Sequence, residues 1–179
     1  MSNPIGIKWG PSADLDEMVQ LVERLNPENE WGRITLITRF GEKEVAKHLP
    51  AAIKKIQREG LNVLWTCDPM HGNIVKTSTG VKTRSFDSIL SEIRQCFEIH
   101  KSFDSHMGGV HFEMTGEEVT ECVGGAEGIG EKDLENLYET FCDPRLNYSQ
   151  SLETAFLISS ILNPKVSHHL LPDLASLET

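Results

Sequence analysis

Cysteine is scarce in this chain and badly spaced for a scaffold. Cys67, Cys96, Cys122 and Cys142 are the four in 179 residues, and none forms a C-x-x-C pair. That argues against a disulfide framework and a closed structural zinc site, and makes a reducing cytoplasm the expected compartment. Long apolar runs are missing too. Nothing approaches the roughly 20 residues of a membrane span, and Met1-Ser2-Asn3-Pro4 carries no basic flank and no apolar signal region. Positive charge is in deficit, with 17 Lys and Arg against 27 Asp and Glu and a net charge of -10. Nucleic acid and anionic membrane are therefore not expected partners. No G-x-G-x-x-G or phosphate-loop glycine-lysine motif points to a nucleotide, and the chain has no internal repeat or low-complexity segment.

What is present suits one globular domain: 25% of residues are charged and 39% hydrophobic, over a length that can bury a substantial core. Apolar runs predict strands over about 4–9, 33–38, 61–66 and 110–114. Helical spacing marks 14–25, 42–59, 86–100, 131–141 and 149–162, with Pro50 expected to kink the second helix or start a new segment. A long polar loop, 67–85, follows the third strand, and loops of that length tend to be functional. Alternating strands and helices imply a parallel sheet with helices packed on it.

An open doubly wound sheet and a (β/α)8 barrel both satisfy that pattern, and residue alternation favours the barrel. Ile5, Ile7 and Trp9 are expected to face helices, leaving Gly6 and Lys8 inward. Val110, Phe112 and Met114 are expected to point out, with His111 and Glu113 in. Barrel enzymes build their sites from such inward polar residues at the C-terminal rim.

Three residues stand out chemically. His71, Glu113 and Asp143 sit in the polar motifs Cys67-Asp68-Pro69-Met70-His71-Gly72, Gly108-Gly109-Val110-His111-Phe112-Glu113 and Cys142-Asp143-Pro144-Arg145-Leu146-Asn147. One imidazole and two carboxylates suit a divalent cation that keeps a position open for substrate. Lys8 and Arg39 follow the apolar runs Ile5-Gly6-Ile7 and Ile34-Thr35-Leu36-Ile37-Thr38. Two cations beside a metal read as a site for a small, doubly anionic substrate, most simply a phosphorylated acid. Blander readings stand beside these. Asp143-Pro144 can start a turn, and Arg39 can pair with an acidic neighbour. His111 is expected as a hydrogen-bonded histidine on the inner face, Arg84 and Arg145 as loop-holding residues, and His168-His169 as a solvated pair.

Together the motifs resemble the C-terminal half of type II 3-deoxy-D-arabino-heptulosonate 7-phosphate (DAHP) synthases. The likeness is carried by Pro4-Ile5-Gly6-Ile7-Lys8, Thr38-Arg39-Phe40-Gly41, the His71 motif extended to Asn73, Lys82-Thr83-Arg84-Ser85-Phe86-Asp87, the Glu113 motif, Thr120-Glu121-Cys122-Val123-Gly124-Gly125 and the Asp143 motif. The resemblance implies half of a (β/α)8 TIM barrel, with four βα units and parallel strands over residues 1–162 and a loosely ordered tail over 163–179. It also implies the first step of the shikimate pathway to aromatic amino acids. In that step C3 of phosphoenolpyruvate attacks the aldehyde of erythrose 4-phosphate, water adds at C2 and inorganic phosphate leaves. His71, Glu113 and Asp143 match three of the family's metal ligands, for Mn2+, Co2+ or Mg2+. Lys8 and Arg39 match residues that hold phosphoenolpyruvate, with Lys8 also expected to be catalytic.

The family's fourth ligand, a cysteine, and further substrate arginines belong to an N-terminal half. A whole eight-stranded barrel typically needs about 250 residues, so four βα units leave strand edges to be covered. The expected partner is that missing N-terminal half-barrel, or a second copy through self-association. Three readings stay open: a DAHP synthase half that works once completed, a non-catalytic half-barrel binding or assembly module, and a self-paired half-barrel metal-dependent aldolase or lyase.

Overall fold

The computed structural model describes residues 3–164. Four strands, β1 (Ile5–Trp9), β2 (Ile34–Thr38), β3 (Leu64–Cys67) and β6 (Met107–Val110), form one parallel sheet in the order β1-β2-β3-β6. Helices α1 (Leu15–Leu25), α2 (Val45–Arg58) and α3 (Phe86–Ser102) follow β1, β2 and β3, and α4 (Tyr148–Leu162) closes the described chain. Each helix packs on the next in sequence order. That is the layout expected of helices that each bury an apolar stripe on the same sheet.

Strand parity decides which side of the sheet is covered. Trp9, Ile34, Leu36, Trp65 and Cys67 are buried with Met18, Val19 and Val22 of α1, Leu49, Ile53 and Ile56 of α2 and Cys96 of α3. Ile5 and Ile7 pack against the same cluster, whereas Gly6 and Lys8, one residue out of phase, are exposed on the other face. The alternation expected for β1 is thus present, and Cys96 of α3 is a core residue. A second cluster under α3, with Met70, Phe86, Ile89, Ile93, Cys122 and Leu146, fastens the later loops to the same layer.

Several elements differ from the sequence expectation for visible reasons. The fourth parallel strand lies at Met107–Val110 rather than 110–114, because Gly108 and Gly109, poor strand formers, fit a shifted register against β3 between Trp65 and Thr66. Beyond it Phe112 still packs on the second cluster, but Met114 is half exposed. The long loop after β3 contains an antiparallel hairpin, β4 (Ile74–Lys76) with β5 (Lys82–Arg84). Pro50 lies inside one continuous α2, so it does not start a second segment.

The helix expected over 131–141 is a single 3-10 turn, Glu131–Asp133. Side chains have taken its donors. Thr120 Oγ1 accepts from the amide of Leu137 (3.0 Å), and Glu121 Oε1 accepts from those of Glu139 (3.1 Å) and Thr140 (2.9 Å). Of the tail expected over 163–179, residues 165–179, with His168 and His169, lie outside the described residues.

Candidate metal centre

His71 is positioned by Asp68. One carboxylate oxygen of Asp68, Oδ1, accepts from the backbone amides of Met70 (3.0 Å) and His71 (3.1 Å), which curls the chain back over the end of β3. The other, Oδ2, accepts from His71 Nδ1 at 2.7 Å and pairs with the ammonium of Lys8. With Nδ1–H donated to the carboxylate, the Nε2 lone pair is free and aimed. Glu113 comes from the chain beyond β6, where that chain bridges Leu146 in the parallel sense. The Leu146 amide donates to Glu113 O, and the Thr115 amide to Leu146 O, both at 2.9 Å. This pairing brings Asp143, three residues before Leu146, alongside Glu113.

The result is a compact donor set. His71 Nε2 lies 3.4 Å from Glu113 Oε1 and 4.0 Å from Asp143 Oδ2. One ligand atom from each residue falls within 4.8 Å of the others. Every member is anchored through its remaining polar atom. Arg84 Nη2 donates to Glu113 Oε2 at 2.6 Å, and Arg84 Nη1 donates to Pro144 O. Lys82 Nζ donates to Asp143 Oδ1 at 2.8 Å. One nitrogen and two carboxylate oxygens, each backed by a partner, suit a divalent cation of the Mn2+, Co2+ or Mg2+ type better than one demanding sulfur.

Electrostatics keep Asp143 and Asp68 ionised. The Lys82 hydrogen bond holds the Asp143 carboxyl below its ordinary value. For Asp68, burial alone pushes upward, but the hydrogen bonds from Lys8 and the His71 amide outweigh it and the carboxyl is held down.

Arg39 stands at the end of β2 with the same parity as Ile37, the β-partner of Lys8, and its guanidinium lies over Gly10 (3.7 Å from where a Cβ would sit). It is exposed and has no ion-pair partner among the described residues. Arg39 is thus free for an external anion, and the acidic-neighbour reading gains no support. His111 departs from expectation: it is exposed, without a side-chain hydrogen bond among the described residues, its ring 6.4 Å from that of His71. Cys67 is buried on the helix side of the sheet, while Cys142 is exposed beside Asp143.

A family model for the class-II DAHP synthetase family matches residues 1–159. The chain belongs to that family. It is 53% identical over 162 residues, 90% of its length, to the phospho-2-dehydro-3-deoxyheptonate aldolase AroG of Mycolicibacterium smegmatis. Over 89% of its length it is 51% identical to the phospho-2-dehydro-3-deoxyheptonate aldolase of Streptomyces coelicolor and 48% identical to that of Neurospora crassa. It covers 35%, 35% and 34% of those three proteins, so the chain spans about a third of the length of the curated relatives it matches.

Sequence reasoning passed over two parts of this candidate site, Asp68 and Lys82. Asp68 carried a signal, since an acid three residues before a candidate ligand histidine is well placed to hold its ring. Lys82 carried none, because it reaches Asp143 only through the hairpin. Arg84 and Arg145, expected to hold loops, pair with Glu113 and Glu121 respectively.

Proposed function

We propose that this chain is the metal-bearing part of a DAHP synthase, which condenses phosphoenolpyruvate with erythrose 4-phosphate and releases inorganic phosphate. The observation that carries this reading is the convergence of His71, Glu113 and Asp143, with ligand atoms within 4.8 Å of one another, beside the Lys8–Asp68 pair. Membership of the family supports it. The four-stranded sheet, helices on one face and Lys8 on the other, is read as half of a (β/α)8 barrel. The remaining strands come from the part of the family's length that this chain does not span, in one polypeptide or as a partner, or from a second copy. The setting is the cytoplasm. No helix among the described residues is long and apolar enough to cross a membrane.

His71, Glu113 and Asp143 would hold the cation, which supplies Lewis acidity toward an aldehyde oxygen when bound. The chain's own residues do the rest of the work assigned here. Arg39 offers a planar fork to the carboxylate or phosphate of phosphoenolpyruvate. Lys8 shares one ammonium proton with Asp68 and keeps two for the same substrate. Held so, C3 of phosphoenolpyruvate bonds to the aldehyde carbon, whose oxygen gains the proton of the attacking water; C2 takes that water's hydroxyl, and cleavage of the C2–O bond to phosphate then leaves a ketone at C2 and inorganic phosphate. The carboxylate and phosphate oxygens of phosphoenolpyruvate carry negative charge throughout, and Lys8 and Arg39 can neutralise it.

Two measurements test this. A Mn2+ titration of the purified chain should show binding that is lost in His71→Ala and Asp143→Asn. Joining residues 1–162 to the remaining portion of the M. smegmatis relative should give phosphate release from the two substrates, reduced about 100-fold or more in Lys8→Ala and Arg39→Ala. Undiminished turnover in Lys8→Ala, or no Mn2+ binding by the unaltered chain, overturns the reading.

A further inference from the structure

Glu92 is a carboxylate with no solvent exposure on the core side of α3, two turns into the helix and outside the metal centre. Its surroundings are two loops. Oε1 accepts from the amide of Gly41 at 2.9 Å, in the loop that begins with Arg39. Oε2 accepts from Asn73 Nδ2 at 2.7 Å, in the loop that carries His71. Asn73 closes the circuit: its Oδ1 accepts from the Glu42 amide (3.0 Å) and its Nδ2 also donates to Pro69 O (2.8 Å). One turn further along α3, Gln95 Nε2 donates to Glu42 O at 3.1 Å.

The two loops also touch backbone to backbone. Gly41 has φ +86, and a Cβ there would meet Gly72 O at 2.6 Å. A Cβ on Gly72 would sit 2.7 Å from Gly41 Cα and 2.9 Å from Phe40 C. Only glycines permit this approach. A buried carboxylate is costly unless its lone pairs are used, and both partners of Glu92 are donors.

We propose that Glu92 is a positioning residue that sets the spacing between the Arg39 loop and the His71 loop. The consequence for metal and substrate rests on the function proposed above; the spacing itself does not. Glu92 touches neither ligand nor substrate. It acts through Gly41 and Asn73, so that one helix residue fixes where the guanidinium and the imidazole stand relative to each other. Its isostere Gln keeps the core filled but turns an NH2 group toward one of two donors, so one clamp opens.

Three variants of the full chain test this: Glu92→Gln, the polarity swap Glu92→Gln with Asn73→Asp, and the wedge Gly72→Ala. Above about pH 7, where the Glu92 carboxyl is ionised, Glu92→Gln should raise amide hydrogen exchange about tenfold in segments 39–44 and 69–74 while α1 and β1 stay as they were. Mn2+ affinity should fall about tenfold, the lower end of what loss of an outer partner does to a metal site. In the swap the amide introduced on α3 donates to the carboxylate introduced in the His71 loop, but the bond from position 73 to Pro69 O is lost, so Mn2+ affinity should recover in part, about threefold above that of the single variant. The wedge should weaken Mn2+ as Glu92→Gln does. Unchanged exchange in the two segments overturns the proposal, as does faster exchange with unchanged Mn2+ affinity, or a swap no better than the single variant. Should the unaltered chain bind no Mn2+, the metal reading is what fails, and exchange alone then decides the role of Glu92.

Discussion

Asp68 is fully buried and accepts from two backbone amides, one imidazole N–H and one ammonium. It therefore joins Lys8 to His71, and an uncharged isostere should disconnect them. In Asp68→Asn one oxygen remains for at most part of that load, and the amide NH2 faces Lys8 or His71 donor to donor. Mn2+ affinity should drop about 10- to 100-fold, the range found when a ligand histidine loses its carboxylate partner. A Mn2+ titration that returns the affinity of the unaltered chain would remove Asp68 from the site. The same residue shows what a linear reading can reach. His71, Glu113 and Asp143 were legible because each stands in a short polar motif of a kind that gathers at strand ends. Lys82, Arg84 and Glu92 work only because a hairpin, a buried guanidinium and a helix face cross those motifs in space, and no local pattern encodes that crossing.

Elements were legible where one periodicity ran unopposed. The first helix has its apolar stripe and an N-cap, Asp14, that accepts from the amides of Asp16 and Glu17. The stretch over 131–141 has comparable spacing but loses its amides to Thr120 and Glu121, so tertiary acceptors override propensity. Asn147, the last residue of the Asp143 motif, turns out to serve the element that follows. It is fully buried, caps α4 by accepting from the Gln150 amide at 2.8 Å, and donates from Nδ2 to Val119 O (3.2 Å) and Glu127 Oε2 (3.3 Å). Asn147→Ala should cost roughly 2–3 kcal/mol, a lost cap plus a buried carbonyl left without its donor. The exposed cap Asp14→Ala should cost about 1 kcal/mol. Urea unfolding midpoints compare the two; equal losses would mean that burial around Asn147 adds nothing.

At the scale of the whole molecule, two groups buried along α3 pull stability in opposite directions with pH. Burial pushes the Glu92 carboxyl up from 4.5 to about 7, opposed by its bonds from Gly41 and Asn73 and aided by the nearby Asp68 charge. Between those values the unfolded chain releases a proton that the folded chain keeps, so stability falls as pH rises from 4.5 to about 7. Burial pushes His100 down from 6.5 to about 4, with the charge of His106 adding to it; His100 bonds Ser105 Oγ at 2.9 Å and packs on Trp65. Here the unfolded chain binds a proton that the folded one refuses, so stability is lost as pH falls from 6.5 toward 4. Each effect is on the order of 3 kcal/mol across its window, at about 1.4 kcal/mol per unit, and the windows overlap from 4.5 to 6.5. The depressed carboxyls Asp68, Asp143 and Glu121 start to lose their contribution only below their ordinary values of 3.8 to 4.5, under that overlap. The unaltered chain should thus show a shallow profile there, made of two steep ones that offset. Glu92→Gln should expose the His100 limb, with urea midpoints climbing from pH 4.5 to 6.5. His100→Gln should expose the other, with midpoints falling from pH 4.5 to about 7. If both variants keep the shallow profile of the unaltered chain, neither group titrates as its burial demands.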